Sequence, residues 1–111
     1  MHIDQYEFGR IVIDGKTYSQ DVIIFPESIQ DSWWRKSGHD LIEEDLEEVF
    51  AVTPPRLVVG TGAYGIMSVS DEVRERCEEA DIELVVQKTA DAVRTFNESP
   101  AGTVAALHLT C

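Results

Sequence analysis

The hydrophobic positions along the chain change their period several times, and each change predicts a new element. Residues 7–13 are strand-like and lead into Asp14-Gly15, a pair typical of a two-residue type I′ turn, because both central residues need positive φ. The second arm of this predicted hairpin runs from Lys16 to Phe25 and ends in the apolar run 22–25, before Pro26. A continuous rather than alternating run favours a strand that is covered on both faces.

An amphipathic helix is predicted next, between Asp40 and the pair Pro54-Pro55. Asp40 has the position of an N-cap, with Glu43 three residues later as its capping-box partner. The apolar residues of this segment follow the spacing i, i+4, i+7 and i+8, which forms one buried stripe: Ile42, Leu46, Val49 and Phe50. The two prolines end the helix.

The second half of the chain alternates strands with helices. Strands are predicted at 57–59, 82–86 and 103–109, one helix begins near Ser70-Asp71, and another runs from Thr89, as its cap, to about Asn97. Strands that are joined through helices run parallel, with right-handed crossovers. An N-terminal hairpin followed by such units predicts one α/β domain over residues 1–111, with a mixed β-sheet covered by helices. Strands 57–59 and 82–86 are expected to lie side by side and parallel.

Composition narrows the classes of function. The chain has 21 acidic and 9 basic residues and a net charge of −12. Nucleic acid and anionic membranes are therefore not expected as partners, because too few cations are present to neutralise phosphates. No apolar run approaches the roughly 20 residues that span a bilayer, and the first residues lack the basic and apolar regions of a secretory signal. With two cysteines and no CxxC pair, these features predict a soluble cytoplasmic protein.

The segment GTGAYG at 60–65 follows a predicted strand and matches the pattern GxGxxG. A dinucleotide site is not predicted, because the helix signal begins only at Ser70 and Glu83 lies inside a strand rather than past its end. Two interpretations remain: glycine lets backbone N–H groups approach an anion, or it permits a sharp turn under close packing.

Lys88-Thr89 lies at the corresponding end of the next parallel strand. A cation beside a helix N-terminus suits a carboxylate or a phosphate, and the alternative is an ordinary cap with a solvated lysine. Together the two loops form one candidate ligand crevice, made of Gly60, Thr61, Gly62, Tyr64, Gly65, Lys88 and Thr89. No cofactor is expected there.

A tryptophan pair, Trp33-Trp34, precedes the predicted acidic helix. In an extended chain only one of two adjacent tryptophans can face the core, so the other is either a contact surface or ordinarily packed. The acidic helix face is either solvated or the surface for a cationic partner. His39, Glu43 and Glu47 share one stripe, but no metal site is predicted from them. The candidate partner-binding residues are Trp33, Trp34, Arg35 and His39.

Four segments of the chain resemble a known small family: WRKSGHDL at 34–41, VVGTG at 58–62, TADAVRTFN at 89–97 and VAALHLTC at 104–111. Their order and spacing are similar to those of the adipogenesis-associated Mth-domain-containing proteins, which also include a mitochondrial complex I assembly factor and an archaeal founding member. The resemblance implies a single α/β domain of three layers and a role in assembly or regulation. It implies no catalytic residues; family members carry an arginine before the last strand, where this chain has Ala-Gly-Thr at 101–103.

No pattern in the sequence predicts a particular reaction. The first hypothesis is a non-enzymatic binding, assembly or regulatory protein that contacts a protein partner around Trp33, Trp34 and the acidic helix. The alternative is a small anionic-ligand binder or enzyme that uses the crevice of Gly60–Gly65 and Lys88. A third hypothesis is a homo-oligomer that covers exposed apolar surface by self-association.

Overall fold

The computed structural model describes residues 1–111, and the chain forms two principal sheets and three helices. The first sheet is antiparallel and consists of β1 (Ile3–Glu7), β2 (Arg10–Ile13) and β3 (Lys16–Tyr18). The remaining elements are β4 (Val22–Ile24), β5 (Ile29–Gln30), β6 (Asp40–Leu41), a 3₁₀ turn (Glu43–Leu46), α1 (Glu47–Val52), β7 (Arg56–Thr61), β8 (Ser68–Val69), α2 (Asp71–Glu79), β9 (Glu83–Gln87), α3 (Thr89–Glu98) and β10 (Val104–His108). None of the three helices is long and apolar enough to cross a bilayer.

The central sheet has five strands in the order β5-β4-β10-β7-β9. Strands β10, β7 and β9 run parallel to one another. On the other side of β10, β4 pairs with β10 antiparallel, and β5 in turn pairs antiparallel with β4. Leu57 pairs with Leu84 and Val59 with Val86, which confirms the predicted parallel neighbours. The carboxyl ends of the three parallel strands therefore lie at one edge of the sheet, where open α/β sheets bind ligands.

The sheet is covered on both faces, which gives the domain three layers. Val59 and Ala106 face one core, which α1 and α2 close with Val49, Phe50, Val73 and Cys77. Val58 and Ala105 face the other core, which α3 and the first sheet close with Ile3, Ile11, Ile13, Ala92 and Phe96. Two-sided cover explains why the strands are apolar in continuous runs rather than alternately.

The predicted hairpin is correct at its turn and too long in its second arm. Asp14 and Gly15 have φ of 47° and 81°, as a type I′ turn requires. The arm ends at Tyr18, and the run Val22–Ile24 instead forms β4, where all three residues are buried in the central sheet. The strand β1 was not predicted, because it offers only Ile3 and Tyr6 as partly or fully buried apolar positions.

The caps of the first helical segment differ from the prediction. Asp40 lies in β6 and pairs with Ser68 of β8, so it does not cap a helix. Ile42 has the N-cap position, and Asp45, three residues later, accepts its N–H at 3.1 Å, which is the bond that the prediction gave to Glu43. The predicted start of α2 near Ser70-Asp71 is confirmed, and the Ser70 hydroxyl caps the helix by accepting the N–H of Val73 at 3.3 Å.

Thr89 was expected to cap α3, but its side chain joins three elements. The hydroxyl is completely buried, accepts the N–H of Gly62 at 2.9 Å and donates to the carbonyl of His108 at 2.6 Å. It therefore links the end of β7, the start of α3 and the end of β10. A buried hydroxyl with both hydrogen bonds made contributes more than a solvated cap, because its loss leaves two buried partners unsatisfied.

Replacing Thr89 with valine removes the hydroxyl while keeping the shape of the side chain. We expect Thr89→Val to lower the free energy of unfolding by about 2–4 kcal/mol, the cost of leaving two buried backbone groups unpaired. Denaturant unfolding measures this loss, and Thr89→Ser, which retains the hydroxyl, serves as the control. Equal stability of the valine variant and the wild type would contradict the assignment.

Candidate functional site

The glycine-rich loop and the Lys88 loop lie together at the carboxyl edge of the sheet. The Thr61 hydroxyl donates to the carbonyl of Gln87 at 3.0 Å, and the N–H of Thr89 donates to the carbonyl of Gly62 at 3.1 Å. Lys88 passes over Gly65, so that a Cβ on the glycine would lie 3.2 Å from the lysine Cγ. The two loops therefore close directly on one another.

Backbone donors of the glycine loop are used within the chain. The N–H groups of Ala63 and Ile66 donate to the carbonyls of Thr110 and Cys111 at 2.6 and 3.2 Å, and that of Met67 donates to Thr61 at 3.1 Å. A Cβ at Gly62, which has a φ of +105°, would overlap the carbonyl of Cys111. The glycines thus allow the chain after β10 to cross the loop in close contact.

The seven residues of the predicted crevice lie outside the surface cavities of the protein. None of the four surface cavities is lined by Gly60, Thr61, Gly62, Tyr64, Gly65, Lys88 or Thr89. At Gly60 a Cβ would lie 2.8 Å from the Thr89 hydroxyl and 2.9 Å from a methyl of Leu107, so the space beside it is filled. The geometry favours the close-packing interpretation over an anion cradle.

A buried polar cluster lies at the same edge of the sheet, around Asp21. One carboxylate oxygen of Asp21 lies 2.8 Å from Nη1 of Arg35 and 2.8 Å from Nδ1 of His108. The other oxygen accepts the N–H of Leu109 at 2.7 Å. The three side chains are only 6–16% exposed. The cluster therefore joins the start of β4, the segment before β6 and the end of β10.

The electrostatics of the cluster favour an ionised Asp21. Burial would raise the pKa of its carboxyl group, but hydrogen bonds from His108, the Leu109 N–H and Arg35 outweigh burial and lower that pKa. The same Nδ1 of His108 also lies 3.1 Å from Nη2 of Arg35. A proton on Nδ1 is donated to the Asp21 carboxylate, which can only accept, whereas an unprotonated Nδ1 accepts from Arg35. The guanidinium of Arg35 then supplies the counter-charge for the buried carboxylate.

The guanidinium group of Arg35 lies over the ring of Trp33. The guanidinium carbon lies 4.9 Å from the centre of the Trp33 ring, and the Arg35 Nε is buried without a hydrogen-bond partner. The indole is 4% exposed, and its Nε1 donates to the carbonyl of Asp45 at 3.0 Å. The backbone N–H of Trp33 donates to the carbonyl of Asp21 at 2.8 Å, which places the tryptophan beside the cluster.

Trp34 points in the opposite direction and is 86% exposed. The prediction that only one of the two tryptophans faces the core is therefore confirmed. Its neighbours are fixed on both sides. Before it, the N–H of Trp33 donates to the carbonyl of Asp21; after it, Arg35 is held by the Asp21 carboxylate, and the N–H of Lys36 donates to the Asp45 carboxylate at 3.1 Å. An exposed indole thus stands on a segment whose backbone is tied to the core.

Two clefts flank Trp34. The larger, about 390 Å³, is lined among others by Asp21, Trp34, Arg35, Lys36 and Gly38. The smaller, about 160 Å³, is lined by Ile23, Gln30, Trp33 and Trp34 and by four acidic residues, Glu44, Asp45, Glu47 and Glu48. His39 is exposed and lines neither cleft; its carbonyl accepts the N–H of Ser68 at 2.7 Å. Of the four candidate partner-binding residues, the structure therefore brings together Trp33, Trp34 and Arg35.

Two members of the cluster, Asp21 and His108, were missed from the sequence. They lie 87 positions apart, and no spacing rule connects them. The available signal was a histidine at the predicted carboxyl end of a buried strand, together with an aspartate directly before another buried run. No group of three or more His, Cys, Asp or Glu side chains is arranged to hold a metal ion.

Comparison with known proteins gives one family and several similar structures. The family described as protein of unknown function (DUF498/DUF598) matches residues 3–108. A conserved hypothetical protein, PH1505 from Pyrococcus horikoshii OT3, is 30% identical, with a TM-score of 0.85 and complete coverage of both chains. None of the curated proteins matches the chain.

Two more distant structures show the same fold. A protein named MT938 is 21% identical, with a TM-score of 0.81 over 99% of this chain and 98% of the other. A Bordetella pertussis protein described as a Mth938-like domain is 18% identical, with a TM-score of 0.75 over 97% of this chain and 85% of the other. At these levels of identity the likeness concerns the fold, and MT938 and this chain are distinct proteins.

The Asp21 cluster makes a prediction for stability and its pH dependence. Asp21→Asn leaves Arg35 buried without its counter-charge, and we expect the free energy of unfolding to fall by about 3–5 kcal/mol at neutral pH. Because folding lowers the pKa of Asp21, the carboxylate stabilises the protein above about pH 4 and loses this effect as the pH falls below that value.

Chemical denaturation of the wild type and Asp21→Asn across this range measures both effects. The difference between the two proteins should shrink as the pH decreases. Glu72→Gln, at an exposed position on α2, removes one charge without breaking the cluster and should change stability little. A constant difference at every pH would show that the Asp21 charge is not what stabilises the fold.

Proposed function

The chain belongs to the DUF498/DUF598 family of proteins of unknown function, and we propose that it is a non-enzymatic binding protein with an assembly or regulatory role. Its contact surface is centred on Trp34. The observation that carries the proposal is the 86% exposure of this side chain on a segment that is fixed by its neighbours. Residues 33–36 thus form an anchored loop with one large aromatic group directed into solvent.

An exposed tryptophan is an efficient anchor for a partner. The indole buries a large area for few rotatable bonds, and tryptophan is enriched among the residues that dominate binding energy. Here the adjacent residues are already ordered by Asp21 and Asp45, so a partner does not have to order the loop. Binding therefore loses little conformational entropy, which is the main advantage of a preorganised surface.

The other candidate residues have different roles in this proposal. Trp33 and Arg35 are buried or nearly so, and they position Trp34 rather than contact the partner. Gly38 lines the larger cleft, and we place the exposed His39, which follows it, at the rim of the contact surface. The resemblance of four segments together to the adipogenesis-associated and complex I assembly proteins supports an assembly role. The proposed cytoplasmic location rests on the composition of the chain.

Trp34→Ala tests the proposal directly. We expect the variant to fold with unchanged thermal stability. Its affinity for the partner should fall by a factor of about 30 or more, as for the truncation of an aromatic residue that dominates a binding interface. Cross-linked affinity capture from lysate, with the captured proteins quantified by mass spectrometry, measures the difference.

Tyr64→Ala is the matched control, because Tyr64 is also an exposed aromatic residue and belongs to the glycine-loop crevice. Its partner capture should equal that of the wild type. If Tyr64→Ala loses the partner and Trp34→Ala retains it, the contact surface lies at the glycine loop instead. If small anions raise the melting temperature through Lys88, the ligand hypothesis replaces the present one.

A further inference from the structure

The smaller cleft beside Trp34 combines an indole with carboxylates. Glu47 and Glu48 of α1 line the cleft together with Ile23 and the tryptophan pair. No arginine, lysine or histidine lines this cleft. Its lining therefore combines apolar and aromatic side chains with carboxylates.

The carboxylates of the cleft differ in how they are neutralised. Glu44 forms an ion pair with Lys36, and the Asp45 carboxylate accepts the backbone N–H groups of Lys36 and Ile42. Glu47 and Glu48 have no cation of the chain within ion-pair distance. The two glutamates that follow the 3₁₀ turn thus have no ion-pair partner within the chain, and they share a cleft lining with Trp34.

The acidic surface continues beyond this cleft. Glu48 also lines a second groove, of about 630 Å³, together with Glu27, Phe25, Pro54 and the exposed Val52. This groove likewise contains no basic residue. Glu48 therefore links two clefts, one with the exposed Trp34 in its lining and the other with the exposed Val52.

A cation is the group that interacts favourably with both the aromatic and the acidic residues of the smaller cleft. Guanidinium and ammonium groups are attracted to the face of an indole, and they form charge-assisted hydrogen bonds with carboxylates. A second copy of the chain is a poor occupant, because two molecules with a net charge of −12 repel one another. Anionic nucleic acid or lipid is excluded by the same sign of charge.

We infer, on the basis of the proposed contact function, that the partner binds Trp34 through a basic peptide segment. An arginine or lysine side chain of that segment lies between the Trp34 ring and the carboxylates of Glu47 and Glu48. Neighbouring apolar residues of the segment follow the face of α1 towards Val52. Charge complementarity selects the partner, and the indole anchors it.

Selection of a random peptide library displayed on phage, with the immobilised full chain as bait, tests this inference. We expect the selected peptides to be enriched in arginine and lysine and to bind more weakly as the ionic strength is raised. Calorimetry with the individual peptides should show loss of binding to Trp34→Ala and about tenfold weaker binding to the double variant Glu47→Gln/Glu48→Gln. The control Glu72→Gln/Glu79→Gln removes the same charge from the exposed face of α2 and should leave the affinity unchanged.

The outcomes separate this inference from the proposed function. Peptides that require Trp34 but show no basic enrichment, or bind Glu47→Gln/Glu48→Gln as well as the wild type, overturn the basic partner and leave the Trp34 surface standing. Failure to select any peptide that requires Trp34 counts against both. A dimer in light scattering that dissociates on Trp34→Ala identifies a second copy as the occupant and also overturns the inference.

Discussion

The carboxylate of Asp21 is the interaction on which the arrangement of this domain depends. It receives hydrogen bonds from Arg35, His108 and the backbone of Leu109, which come from parts of the chain far apart in sequence. A buried carboxylate is costly unless its lone pairs are used, and here both oxygens are engaged. The cluster therefore holds the end of the central strand β10 against the loop that carries the two tryptophans.

The hydrophobic pattern was sufficient to predict the sheet and the helices of the second half of the chain. Apolar runs at 57–59 and 82–86, separated by a capped helix, leave a parallel pair as the natural arrangement. The opposite directions of Trp33 and Trp34 follow equally from local geometry. These features depend on periodicity and connection, both of which are properties of neighbouring residues.

Features that depend on distant residues were not predictable in the same way. The run Val22–Ile24 continues the hairpin by sequence, but the central sheet offers it cover on both faces, and burial decides the outcome. Asp40 has a residue type that suits an N-cap, but its pairing with Ser68, 28 positions away, places it in a strand. Asp21 and His108 carry no mutual signal because only the fold brings them together.

The glycine loop shows why a motif does not identify a ligand by itself. A missing Cβ permits close approach of a phosphate, and it permits close approach of another backbone equally well. At Gly62 the approaching group is the chain after β10, and its carbonyls occupy the donors that a phosphate needs. Whether the backbone N–H groups are free or already hydrogen-bonded, rather than the spacing of the glycines, distinguishes a phosphate-binding loop from a closely packed turn.

The acidity of α1 has a consequence for its dynamics. The helix has only six residues and follows a 3₁₀ turn, and the pairs Glu43–Glu47 and Glu44–Glu48 place like charges one turn apart. Ion pairs with Arg76 and Lys36 offset the charges of Glu43 and Glu44, but those of Glu47 and Glu48 have no such partner. Such a helix opens more readily than α2 or α3, so its amide protons are expected to exchange with solvent early. A cation that binds to the acidic face of α1 lowers the repulsion between its glutamates and slows that exchange. The exchange rate of the α1 amides therefore indicates whether this face has bound a cation.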